Sequence, residues 1–444
     1  MPGRRSRRGE GAISQQRGVI VIGGGPGGGA AAGFLARAGV DVLVLEKLDF
    51  PRFRIGESLL PYHLPLLDRL GVGEKIRAAS FQVKRGATFL AEEIGGIRRV
   101  NFEHGWDDAH PSSYQVPRAE FDALVLDHAR TCGAEVRHGA DVRRVIFEGD
   151  RAVGVEVAGR DGETTEIRAR MVVDASGGAA ILSAPLGLRV PYPKMRRAAL
   201  FTHYRGARPH PEARPGDILL PVHPDVWYWH IPFSDGRSSV GAVFEPARAR
   251  GGAKEPAALL EKLVGESPAM RFVLEGAERV SEVRGASDFS WRSRRLAGDG
   301  WALVGDAAGF LDPTFSTGVF LAMTMGEKAA FAIARALARS GAPRRRDLLR
   351  YERESGRLLD AFRRYVEAFY DPEFMKTFCT PDPADPMLRA VTSVLAGGYE
   401  ELPWRGRLWN RLFFLSYALD RRFSKPSGAP PMPGSPDPSA SPGA

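Results

Sequence analysis

Apolar residues first gather from Gly18 to Ile22, a short unbroken run of the kind that parallel sheets bury. Glycines and alanines dominate Gly28 to Ala38, Gly39 closes that stretch, and Asp41 to Glu46 is apolar again. The pattern predicts a strand, a small-residue helix and a second strand, which together make a βαβ unit. Ala119 to Thr131 sets Phe121, Leu124, Val125 and Ala129 at helical spacing. Strands follow near Val142 to Phe147, Ala152 to Val157 and Thr164 to Ile167, and the turns Glu148-Gly149-Asp150 and Arg160-Asp161-Gly162 link them into a meander. From about Arg189 to Val283, extended apolar stretches alternate with Pro and Gly, so a second, mostly antiparallel sheet is expected. Arg344 to Phe423 reads as mainly helical and rich in aromatics.

Composition narrows the class. The 444 residues, 43% hydrophobic and 26% charged, suit a soluble enzyme of two or three domains. Of the formal charge of +9, +4 lies in the first 17 residues. No basic run is interleaved with aromatics, which argues against a nucleic-acid partner. Cys132 and Cys379 stand far apart, outside any metal or disulfide pattern, and fit a reducing cytoplasm. The first apolar stretch is broken by Gly23, Gly25 and Gly28, and no other reaches the roughly 20 residues of a membrane span. His63, His203 and His230 match no ligand set and stay unassigned.

Gly23-Gly24-Gly25-Pro26-Gly27-Gly28 fits G-x-G-x-x-G between a strand and a helix, where absent side chains let a pyrophosphate reach backbone N–H groups. Glu46, 18 residues after Gly28, ends the second strand and can accept a ribose hydroxyl. A bare glycine motif is common, but strand, helix and acid in register make it a dinucleotide site. No second fingerprint occurs.

Val172-Val173-Asp174-Ala175-Ser176-Gly177 and Ala302-Leu303-Val304-Gly305-Asp306-Ala307-Ala308 resemble motifs of the glutathione-reductase-like FAD fold. The resemblance implies FAD, with Asp306 on a ribityl hydroxyl and Asp174 in the neighbouring motif; Asp306 is open to a helix N-cap role as well. Arg118, in Pro117-Arg118-Ala119-Glu120-Phe121-Asp122, approaches the cofactor in that fold, although a solvated arginine reads the same. The implied fold class is α/β. Its divisions are a disordered basic tail (1–16), an FAD-binding domain in two parts (17–188 and 285–343), a substrate-domain sheet (189–284), a helical region (344–424) and a disordered tail (425–444).

Several segments resemble the flavin-dependent halogenases, from Gly18 to about Phe423. Phe50-Pro51-Arg52-Phe53-Arg54-Ile55-Gly56-Glu57-Ser58-Leu59 is similar to the segment after the second strand in halogenases and their relatives, and puts Ser58 among the cofactor-binding candidates. Trp227-Tyr228-Trp229-His230-Ile231-Pro232 matches W-x-W-x-I-P, the family signature, whose indoles are taken to hold substrate away from the flavin. On a strand, Trp227, Trp229 and Ile231 share a face and form a bulky wall. Lys84, in Phe81 to Phe89, matches the lysine that receives hypohalous acid in that family. As an ordinary lysine it stays protonated at neutral pH, so it acts either as a positioned hydrogen-bond donor to the acid or, once burial lowers its pKa, as a nucleophile that forms a chloramine. Leu311-Asp312-Pro313-Thr314-Phe315-Ser316-Thr317-Gly318 resembles the halide segment, and Thr317 and Gly318 would bind chloride. Where the tryptophan branch carries a glutamate before Ser-Thr-Gly, this chain has Phe315, which turns the resemblance toward phenol, pyrrole and acyl halogenases. Phe369-Tyr370-Asp371-Pro372-Glu373-Phe374 looks like that branch too.

The implied activity is halogenation with chloride and reduced FAD, the latter supplied by a separate flavin reductase, on a small or carrier-protein-tethered substrate in antibiotic-type metabolism. The rivals are a monooxygenase that hydroxylates beside the flavin, a geranylgeranyl-reductase-like enzyme and a non-catalytic flavin-bound scaffold. Halide-independent hydroxylation would select the first. Absence of the lysine and tryptophan motifs would suit the second, and indifference to loss of Lys84 the third.

Overall fold

The computed structural model describes residues 16–106, 110–249, 255–379 and 385–423; apart from Gln16, the two tails expected to be disordered lie outside them. Along the chain, β1 (Arg17–Ile22), α1 (Pro26–Arg37) and β2 (Val42–Glu46) form the βαβ unit. Next come β3 (Gln82–Lys84), β4 (Gly86–Ala91), β5 (Gly96–Asn101), β6 (Ser113–Gln115), α2 (Arg118–Thr131) and β7 (Glu135–His138). The meander is β8 (Asp141–Glu148), β9 (Arg151–Ala158) and β10 (Thr164–Asp174). β11 (Ala198–Arg205), β12 (Ile218–Val222), β13 (Val226–Pro232) and β14 (Arg237–Phe244) precede β15 (Trp301–Leu303). The helices α3 (Thr317–Ser340), α4 (Arg345–Phe369), α5 (Pro372–Cys379), α6 (Pro386–Leu395) and α7 (Trp404–Phe423) follow.

The first sheet runs β15-β10-β1-β2-β7 with these neighbours parallel, and the short strand Ala297–Gly298 adds antiparallel at its edge beside β15. Every residue of β1 is buried, as a parallel strand covered on both faces requires. α1 lies against this sheet with Gly27 to Ala32 buried, and such small residues let a second helix approach closely. That helix is α3: a Cβ added to Gly326 would fall 2.6 Å from the carbonyl oxygen of Gly27. β10 belongs to two arrangements, antiparallel to β9 in its first half and parallel to β1 in its second.

The second sheet runs β11-β14-β13-β12-β4-β5. It is antiparallel except where β12 meets β4. β4 and β5 lie within the 17–188 stretch assigned to the FAD-binding domain, so that stretch also builds the second sheet, and the sheet is larger than the 189–284 expectation. One face of this sheet packs Tyr228 and Val240 against Leu259, Leu260, Leu263 and Met270 of two short helices. The opposite face carries Trp227, Trp229 and Ile231 into the main core. α4 and α5 close over that face with Phe369 and Phe378.

Candidate functional site

The glycine loop is shaped by close contact on one side and openness on the other. Gly23 sits at φ +96°, a left-handed conformation that glycine adopts without steric cost. A Cβ on Gly28 would lie 1.9 Å from the Gly23 carbonyl oxygen, so only glycine lets the helix begin this close to the turn. A Cβ on Gly25 would meet a single atom within 4 Å, a guanidinium nitrogen of Arg52 at 3.4 Å. Pro26 occupies the first helical turn, and the N–H groups beyond it lack helical acceptors, which makes the loop a natural phosphate cradle. Buried Glu46 is fixed by N–H donors from Gly24 (2.8 Å) and Leu48 (2.9 Å), and its remaining lone pairs are free for a ribose hydroxyl.

Behind the loop lies a buried ion triad. Asp122 accepts from Arg118 Nε (2.7 Å) and Nη2 (2.9 Å) and from Arg52 Nη1 (2.9 Å). Arg118 also donates to the Ile55 carbonyl at 2.7 Å, so it is a buried, multiply held group rather than a solvated one. Arg52 Nε is buried without a partner beside the open face of Gly25. Asp306 is half-buried and has no hydrogen-bond partner among the described residues. It sits inside a short 3-10 turn whose cap is Val304, so it serves as no helix cap. Burial pushes its carboxyl up to about 6, opposed by Arg118 and Arg54. Asp174 differs: it is fully buried, and its oxygens accept N–H groups from Ser176 (3.0 Å) and Leu182 (2.8 Å), which shapes the turn after β10.

Lys84 ends β3, 1% exposed. Its Nζ donates to the Leu59 carbonyl at 3.1 Å and lies 5.2 Å from the Phe102 ring centre. Burial lowers its pKa to about 7, against the opposing charge of Asp217. Asp217 accepts from the N–H groups of Arg85 (2.6 Å) and Gly86 (2.9 Å) and thereby holds the chain next to Lys84. Ser58 bridges to Gln115 of β6, next to the strand of Lys84.

Trp227 and Trp229 stand side by side, ring centres 5.9 Å apart, 2% and 4% exposed. Trp229 donates to Ser239 Oγ at 3.0 Å. Trp227 donates at 3.1 Å to the Tyr370 hydroxyl, which in turn donates at 2.6 Å to Asp312. The other oxygen of Asp312 accepts Thr314 N–H at 2.9 Å and the Thr314 hydroxyl, setting the turn that leads into α3. Thr317 and Gly318 therefore open a 24-residue helix straight after Ser316 at φ +57°, with N–H groups left over for an anion. Phe315 points into a cluster with Phe89 (6.1 Å), Phe369 (5.6 Å) and Tyr365 (6.2 Å).

The three histidines do not converge. Burial drops His63 to about 3 and His230 to about 4; His203 Nε2 lies 2.9 Å from buried Glu57. Arg52, Asp122, Tyr370 and Asp312 were not singled out by sequence reasoning. The available signals were Asp122 four residues after Arg118 on a helix, the position of Arg52 in the segment after β2, and the places of Asp312 and Tyr370 within the two later family-like segments. Among the described residues no group of His, Cys, Asp and Glu could hold a metal, and no helix is long and apolar enough to cross a membrane.

The FAD binding domain family matches residues 16–362. A tryptophan 2-halogenase of Chondromyces crocatus is 35% identical over 315 residues, covering 69% of this chain and 58% of that longer protein. The 1H-pyrrole-2-carbonyl-(peptidyl-carrier protein) chlorinase of Pseudomonas fluorescens is 31% identical, covering 69% of this chain and 73% of the relative. The solved structure of the myxobacterial chondrochloren halogenase CndH, a variant of the FAD-dependent halogenases, superposes with a TM-score of 0.77 at 33% identity, over 90% of this chain and 97% of that one. The protein has the FAD-binding fold expected from its sequence, and it belongs to the flavin-dependent halogenase family.

Proposed function

We propose that this protein uses reduced FAD, oxygen and chloride to chlorinate an electron-rich carbon of a phenolic, pyrrolic or enolisable acyl substrate in specialised metabolism. The observation that carries the reading is Lys84: an amine 1% exposed whose pKa sits at about 7, and which is therefore substantially neutral at physiological pH. A surface lysine would be protonated and solvated.

The residues at the glycine loop fit FAD. The open face of Gly25, the unpartnered Arg52 Nε and the free carboxylate of Asp306 offer in turn a pyrophosphate cradle, a cation and a hydroxyl acceptor. Gly23, Gly28 and Glu46 shape the loop, and Arg118 braces its far side. Bound reduced FAD supplies the electrons with which oxygen and chloride give hypochlorous acid. Thr317 and Gly318 N–H groups hold the chloride. Trp227 and Trp229, fixed by Tyr370 and Ser239, keep the organic substrate off the flavin, and Lys84 NH2 takes the chlorine as N–Cl with loss of water before transfer to carbon.

Phe315 favours the phenol, pyrrole or acyl branch because the position offers no charge to a free amino acid. The relative named for a peptidyl-carrier substrate supports a carrier-tethered one. A separate flavin reductase and a cytoplasmic site complete the proposal. So does the division into an FAD part, a substrate sheet and a helical region.

The test is mass spectrometry of turnovers with reduced FAD, oxygen and chloride, offering a generic phenol, a pyrrole and free tryptophan, with Lys84→Ala in parallel. A chlorine isotope pattern is expected from the wild type and is reduced by about 10²-fold or more in the variant, the scale of a lost catalytic group. Oxygen insertion that ignores halide would instead make the protein a monooxygenase. Chlorination of tryptophan alone would move the substrate to the branch of the tryptophan 2-halogenase.

A further inference from the structure

Lys84 lies on one face of a small, buried, strand-paired unit. β3 and β6 pair antiparallel with Lys84 opposite Ser113 and Gln82 opposite Gln115. The segment around Ser58 adds a third strand-like row: Val116 N–H donates to the Glu57 carbonyl at 2.7 Å, Leu59 N–H to the Tyr114 carbonyl at 2.9 Å, and Ser58 bridges to Gln115. Directly paired residues share a face, as do positions two apart on a strand. Lys84, Ser113, Gln115 and Ser58 therefore all face the same way, and the lysine side chain crosses this face to reach the Leu59 carbonyl.

Three of these residues have buried polar atoms without a partner: Ser58 Oγ, Ser113 Oγ and Gln115 Oε1, in side chains 4%, 1% and 0% exposed. Buried polar atoms are almost always satisfied, so three unsatisfied ones around a single buried amine mark a place built for a polar guest. Lys84 spends one donor on Leu59 and keeps the rest of its capacity. The guest has to be small, uncharged or nearly so, and able both to donate and to accept.

We propose that Ser58, Ser113 and Gln115 form with Lys84 a receptacle that holds hypohalous acid at the amine until the halogen is transferred. This rests on the halogenase reading and adds positioning residues that neither the signature motif nor the lysine itself reveals. The serine hydroxyls and the Gln115 carboxamide oxygen bind the O–H of the acid and point its halogen at Nζ. When Lys84 NH2 attacks, the N–Cl bond forms, the O–Cl bond breaks, and hydroxide leaves with the amine's proton as water. The same contacts then hold that water.

Two routes for the chlorine are compared in turnovers with reduced FAD, oxygen and chloride: incorporation into phloroglucinol, and capture by monochlorodimedone, which reacts with acid that has escaped into solution. In Ser113→Ala and Ser58→Ala, the ratio of captured to incorporated chlorine rises by about tenfold, the weight of one hydrogen bond to a charged or strongly polar group. Ser113→Thr, which restores a hydroxyl, returns the ratio toward the wild type, whereas a merely structural defect would follow the melting temperature instead. An unchanged ratio in both alanine variants, with unchanged melting, would sink the receptacle and leave the halogenase reading intact. Absence of oxidised chlorine in either form from the wild type would overturn the halogenase reading, and the receptacle with it.

Discussion

Lys84 shows how burial alters the protonation of a common side chain. Its pKa of about 7 lies below the ordinary lysine value because burial disfavours the ammonium. Chlorination should therefore rise with pH through about 7 as the amine deprotonates, and Lys84→Arg, which stays charged, should lose the rise and nearly all activity in a pH–rate series. The same shift has a stability signature. The unfolded lysine holds its proton up to about 10.5 and the folded one only to about 7, so the unfolded state binds the extra proton in between. Stability should climb with pH across that window and be lowest below it, and Lys84→Met should flatten the climb in urea titrations at pH 6.5 and 9. Asp306 has the opposite sign. Its carboxyl is raised to about 6, so it favours the folded chain below its unfolded value and loses that benefit as pH rises through about 6. Gly23, Gly28 and Glu46 were legible because spacing alone identifies a strand–turn–helix with an acid in register. Arg52 was not, since its importance comes from a buried guanidinium edge facing Gly25, and no local pattern announces a missing hydrogen-bond partner.

Among elements, β1, α1 and β2 were readable to within two residues because burial on both faces demands an unbroken apolar run and helix packing demands small residues. The alternation of Trp227, Trp229 and Ile231 against Tyr228 was equally readable, and the two sets indeed enter different cores. The membership of β4 in the second sheet was not: its parallel partner β12 lies more than a hundred residues on, and sequence distance hides such a pairing. The contact between α1 and α3 yields a sharp expectation. A Cβ at position 326 would sit 2.6 Å from the Gly27 carbonyl, so Gly326→Val should cost about 1–3 kcal/mol by overpacking, measured by denaturant unfolding, and should weaken FAD binding by fluorescence titration. Tyr370 ties α4 to the indole wall and to the Asp312 turn at once. Tyr370→Phe removes both bonds while keeping the ring, and should raise halide-independent oxygen consumption more than it lowers melting temperature.

At the scale of the molecule, Phe89, Phe315, Phe369 and Phe378 fill the space between the second sheet and the helical region. Phe315→Ala should cost about 3–5 kcal/mol, the usual penalty for emptying an aromatic core position, and the loss is measurable by chemical unfolding. The parallel sheet and its helices are discontinuous in sequence: β15 and α3 join β1, β2 and α1 only after the whole second sheet has intervened. At the usual ~5–20 residues per second, a ribosome needs roughly 15–60 s to travel from Gly27 to the Gly326 that covers it. For that interval the nascent α1 waits with its packing face bare. A face of glycine and alanine presents little greasy surface to neighbouring chains, so the smoothness that lets two helices touch in the finished protein also keeps the unfinished one from sticking.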